Sequence, residues 1–95
     1  MKFLKEHLTG FYDWKPEAET AIYDGNVTRR LFDRWNGNQV LFVINAFLTN
    51  SNDISIARGK IAENLLIERL PLDTKSEVSV LNWLQTAIAD EQVQG

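Results

Sequence analysis

The stretch DRWNGNQVLFVINAFLTN, Asp33–Asn50, decides the fold of this chain. Its nine residues Val40–Leu48 carry no charge and a single polar side chain, Asn45. The Asn36-Gly37 pair ahead of them supports two readings. As the centre of a type I′ turn it joins two strands. As a C-terminal stop it ends one helix before another begins. Read as a strand, 38–48 has one wholly apolar face of Val40, Phe42, Ile44, Ala46 and Leu48. Read as a helix, it sets Asn38, Asn45 and Thr49 on one line, with Phe42 beside them. The preceding residues, NVTRRLFDRW, discriminate better. Alternation mixes Arg29 and Asp33 with Val27, Leu31 and Trp35, and Arg30 and Arg34 with Phe32, so neither face is apolar. Helical spacing gathers Val27, Leu31, Phe32 and Trp35 on one side. The expectation is therefore a helix over 27–35, a stop at Asn36-Gly37, and a second helix over 39–49.

Toward the C-terminus the pattern is plainer. In SNDISIARGKIAENLLIERLP, Ser51, Asn52 or Asp53 offers an N-cap and Pro71 a stop. Between them Ile54, Ala57, Ile61 and Leu65, with Ala62, Leu66 and Leu70, recur at helical spacing. Gly59 weakens a helix interior by about 1 kcal/mol relative to Ala and, beside Ala57 and Ala62, would let a neighbouring helix approach closely. Thr74-Lys75-Ser76-Glu77 fits a capping box. Val80, Leu81, Leu84, Ala87 and Ile88 then form a core-facing stripe, with Trp83 on its border. The short link Leu70–Thr74 predicts a helical hairpin of 53–70 and 75–89. Toward the N-terminus, Leu4, Leu8, Phe11 and Tyr12 suggest a short helix, and Pro16 the first turn of another. The reading is an all-α fold: a compact bundle of four to five helices ending in a C-terminal helical hairpin, in one domain spanning 1–95 with a frayed tail at 90–95. The alternative is α+β, with a three-stranded antiparallel meander at 19–48 packed on the two C-terminal helices.

Composition excludes much. A hydrophobic content of 44% with 24% charged residues fits an ordered globular domain rather than a disordered one. No apolar run reaches the roughly 18 residues of a membrane span, and Lys5, Glu6 and His7 interrupt any signal-peptide core. The expectation is a cytoplasmic protein with no membrane partner. Without cysteine, disulfides, thiolate catalysis and cysteine metal sites are excluded. The net charge of −3 is uneven: residues 27–70 hold six Lys and Arg against four acids, and the remainder four Lys against nine acids.

Chemistry finds few carriers. His7 is the single histidine, so any nucleophilic arrangement would depend on it. The carboxylates that could pair for acid–base work, Glu17, Glu19 and Asp24 or Glu63 and Glu68, read as solvated helix faces. TNSNDISIARGK lacks the ligand series, the glycine and the terminal glutamate of a calcium loop. No catalytic, metal or cofactor residue is assigned, and no cofactor is expected. A small non-enzymatic interaction or regulatory protein follows, acting through an apolar and aromatic surface as a homodimer. Trp35, Phe42, Asn45 and Trp83 are its candidate interface residues, Asn45 being a polar contact that would set register. The alternative is a DNA-binding regulator with 53–70 as recognition helix. There Ser55, Arg58 and Lys60 would meet the duplex, and Arg29, Arg30 and Arg34 its backbone.

Overall fold

The computed structural model describes Phe3, Lys5–Trp14, Tyr23, Asn26–Ser51 and Ser55–Gln94. Among these residues there are three α-helices: α1 (Gly37–Ser51), α2 (Ile56–Glu68) and α3 (Glu77–Gln94), preceded by a single 3₁₀ turn at Lys5–His7. The all-α class holds, and the described helices number three rather than four to five. The short helix expected from Pro16 lies outside the described residues.

Asn36-Gly37 is neither a hairpin turn nor a helix end. It opens α1. The Asn36 side-chain oxygen accepts from the amides of Asn38 at 3.1 Å and Gln39 at 3.3 Å, which makes Asn36 the N-cap of the helix it was expected to precede by a break. The amide of Gly37 donates to Asp13 O at 3.0 Å, and the Trp14 ring lies where a Cβ on residue 37 would project. Glycine is needed there to admit an indole. The expected helix over 27–35 is absent: its residues run as bends and a turn. The meander is absent too. Among the described residues there are only two isolated bridges, Asp13 with Asn36 in parallel and Leu31 with Ser76 antiparallel, and 38–48 is helical.

The other two helices start on serine. Ser55, extended at φ −122° and ψ 149°, caps α2 by accepting from the Arg58 amide. Ser76 caps α3 by accepting from the Ser79 amide at 3.2 Å, two residues later than the expected capping box at Thr74. The amides of Glu77 and Val78 donate to the carbonyls of Arg30 and Thr28, so the non-helical segment satisfies the start of α3.

The three helices pack pairwise. Val40, Val43, Ile44, Phe47 and Leu48 of α1 meet Ala62, Leu65 and Leu66 of α2, and Val80, Leu81, Leu84 and Ile88 of α3, in one core. Ala57 and Ile61, expected inward, face solvent. Phe3 enters this core from the N-terminal segment. Its ring lies against Gly59, so the close approach at that glycine is by an aromatic side chain and not by a helix. No helix among the described residues is long and apolar enough to cross a membrane.

Gly59→Ala is expected to destabilise the protein. Its methyl would fall on the buried Phe3 ring, and overpacking of about 1–3 kcal/mol outweighs the roughly 1 kcal/mol gain in helix propensity. Chemical denaturation of Gly59→Ala, and of Gly59→Ala with Phe3→Leu, checks this: the second change should recover part of the loss.

Candidate functional site

Two glutamates stand at core positions of the helices, each with no solvent exposure. Glu63 of α2 accepts from the amide of Thr9 at 2.9 Å, the Thr9 hydroxyl at 3.0 Å, the amide of Gly10 at 3.1 Å and the Tyr12 hydroxyl at 2.6 Å. Burial alone would raise its pKa. The donated hydrogen bonds, Tyr12's foremost, outweigh it and hold the carboxyl below its ordinary 4.5. The Tyr12 hydroxyl is pushed far up, by burial first and then by the carboxylate it donates to. Glu77 of α3 accepts from Arg30 Nε at 2.8 Å and Nη2 at 3.0 Å, Gln39 Nε2 at 2.8 Å and the Thr28 amide at 3.0 Å. Here too burial raises the pKa, and the bonds from Arg30, Gln39 and Thr28 carry it below 4.5. Gln39 also donates to Leu31 O at 2.8 Å and accepts from the Asp33 amide at 2.7 Å. These carboxylates are saturated by fixed donors. They hold residues 9–12 and 28–30 on the helices.

Glu63 is therefore not on a solvated helix face as its sequence context suggests, whereas Glu68 is exposed. Glu17, Glu19 and Asp24 lie outside the described residues. His7 is half-buried, with its ring centroid 5.3 Å from that of Phe3. Among the described residues no cluster of His, Asp or Glu could hold a metal ion.

The four candidate interface residues are not brought together by any single described cleft. Asn45 pairs with the backbone of Phe3, accepting from its amide and donating to its carbonyl, each at 2.9 Å, and also donates to Leu41 O. Phe42 is half-buried beneath Tyr23, with ring centroids 5.9 Å apart, and the Arg30 guanidinium lies over both rings. Trp83 is half-buried against the core. Trp35 alone is largely exposed, at 64%.

Around Trp35 the surface is unlike the rest. Phe11 is 95% exposed, Leu72 86% and Leu31 74%, with Ile67 also outward. Two clefts share Arg34 and Trp35. One, of about 250 Å³, lies between Gly10–Tyr12, Val40, Leu66 and Ile67. The other, about 540 Å³, runs over Leu31–Asp33, Leu70, Leu72, Thr74 and Lys75. The sequence pattern singled out Trp35 and Arg34 but placed Phe11 and Leu31 on helix faces and Leu72 in a linker, and it gave Ile67 no place.

The candidate nucleic-acid residues are dispersed among structural tasks. Arg30 pairs with Glu77, Arg34 donates to Leu70 O at 3.3 Å, Ser55 caps α2, and the Arg58 guanidinium stands 5.4 Å from the Phe47 ring centroid. Arg29 and Lys60 are exposed.

Both glutamates titrate lower in the folded chain than in the unfolded one, so the stability they confer is complete above about pH 4.5 and is lost as pH falls below that through the folded-state values. Urea unfolding across this range should therefore show a steep acid loss, flattened in Glu63→Gln/Glu77→Gln. Glu77→Ala should cost about 3–5 kcal/mol at neutral pH, because it breaks a buried ion pair.

Neither a family model, nor a curated protein, nor a solved structure matches this chain.

Proposed function

We propose that this is a small, non-enzymatic, cytoplasmic interaction or regulatory protein whose working surface is the apolar and aromatic face around Trp35. The observation that carries the reading is the concentration around the two clefts of Phe11, Leu31, Trp35, Ile67 and Leu72, five of the six exposed large apolar side chains among the described residues, Ile61 being the other. Scattered single apolar residues are ordinary, but a rim of them around two adjoining clefts is what a partner covers. Tryptophan and phenylalanine give large buried area for little lost side-chain freedom, which suits them as anchors.

The non-enzymatic part of the reading is supported by the state of the titratable groups. The Tyr12 hydroxyl, which donates to Glu63, is pushed far up, and the two buried carboxylates are each held ionised by three or more donors. A general base or acid works best with a pKa near the operating pH, and theirs are displaced the other way.

A photo-crosslinking amino acid at Leu72, on the rim, is expected to capture a protein in cells, and the capture should disappear in Trp35→Asp. The same probe at Gln85, on the exposed side of α3, should capture nothing. Crosslinks of equal strength from Gln85, or none from Leu72, would overturn the proposal. A crosslink between two copies of the chain through Leu72 identifies the homodimer.

A further inference from the structure

The Trp35 face has a charge character that names its occupant more closely. Three charged residues line the two clefts: Asp33, Arg34 and Lys75. The Asp33 carboxylate accepts from the Trp35 amide at 2.9 Å, within its own turn. Arg34 is half-buried between the clefts, and its one hydrogen bond among the described residues, from Nη2 to Leu70 O, is long at 3.3 Å. A guanidinium has five N–H donors, so most of its fork is left to solvent at the cleft. Lys75 is exposed, and its ammonium meets no carboxylate among the described residues. Two cations and the Asp33 carboxylate thus line the clefts, on a chain whose net charge is −3.

The smaller cleft also has a telling size. At about 250 Å³ it falls below the roughly 300–1,000 Å³ of small-molecule sites. It has the dimensions of a socket for an apolar side chain or two, walled by Trp35 and Ile67.

We infer that this face binds a short acidic-apolar peptide segment of another protein: an apolar anchor seats beside Trp35, and flanking carboxylates meet Arg34 and Lys75. The inference rests on the interaction reading above. A bidentate carboxylate would replace solvent on the remaining donors of Arg34. A second copy of this chain suits the face less well: a two-fold contact sets the patch against itself, bringing one carboxylate, Asp33, to two cations, and that carboxylate already accepts from the Trp35 amide.

The test selects two display libraries on the immobilised full chain, both with a randomised apolar core, one flanked by Asp and Glu and the other by Lys and Arg. Acidic-flanked peptides are expected to be enriched, and their binding to weaken with added salt. Lys75→Glu, which disturbs no contact of the fold, should weaken them roughly two- to fivefold, the effect of one exposed ion pair. Arg34→Gln removes the charge together with the long bond to Leu70 O and should weaken them on the order of tenfold or more, since that charge is partly desolvated; the urea unfolding midpoint of the variant separates this from a loss of fold. Enrichment of basic-flanked peptides, enrichment without regard to flank, or no enrichment overturns the inference. So does a Leu72 crosslink formed only between two copies of the chain. If the Leu72 crosslink to another protein stands while the libraries fail, only the peptide chemistry is wrong. If that crosslink is itself missing, the interaction reading falls first.

Discussion

A carboxylate taken wholly out of water must be met by donors, and Glu77 is where this chain satisfies that demand. Its oxygens receive Gln39 from α1 and Arg30 and Thr28 from the segment before it, while its own helix is α3. Packing α3 on α1 without residues 28–33 would leave a buried charge unpaired, at a cost of several kcal/mol. A domain of this size has a total stability of about 5–15 kcal/mol. The helices and the described segments at 9–12 and 28–33 are thus one cooperative unit, not a bundle with appended loops. Glu63 repeats the arrangement with Thr9, Gly10 and Tyr12, and Asn45 repeats it in neutral form with Phe3.

The exposed face follows from the same constraint. Arg30 is drawn inward to Glu77, and the Phe32 amide donates to Lys75 O. Leu31 lies between Arg30, drawn in to Glu77, and Phe32, packed against the core, and is itself turned to solvent. Trp35 is set outward by the turn that Asp33 closes, in which the Asp33 side chain accepts from the Trp35 amide and its carbonyl from Asn36. The apolar side chains that break the ordinary inside–outside rule are held there by polar ones that break it the other way.

Much of the helical core was legible because apolar spacing is a strong signal. Val80, Leu81, Leu84 and Ile88 face inward as their periodicity says, and so do Ala62, Leu65, Leu66 and Leu70. Val27, Leu31, Phe32 and Trp35 were misleading. Their helical spacing is genuine, but tertiary hydrogen bonds to Gln39, Glu77 and Lys75 outweigh a local preference worth a few tenths of a kcal/mol per residue. Asn36 reads equally as turn, stop or cap, and only the contact of Gly37 with Asp13 O and the Trp14 ring decides it. The glutamate joints left a trace that periodicity alone could have found. Glu63 extends the line of Leu66 and Leu70, and Glu77 that of Leu81, Leu84 and Ile88, so each stripe carries a charge in register with the core. An ionised residue at such a position requires a partner from elsewhere in the chain. The Trp35 face left no comparable trace, because its residues come from three separate segments that only the folded backbone unites.

The direction in which these joints point has a consequence for assembly on the ribosome. Thr9 and Gly10 wait for Glu63, Phe3 for Asn45, and Thr28 and Arg30 for Glu77, at separations of 42 to 54 residues along the chain. In every case the N-terminal partner is synthesised first, and the helical one follows much later. Thr9, Gly10, Thr28 and Arg30 therefore emerge before the carboxylates they bind, and contacts of such long sequence separation form slowly because loop closure precedes their reward. These joints are complete only when α3 delivers Glu77 to residues made long before it.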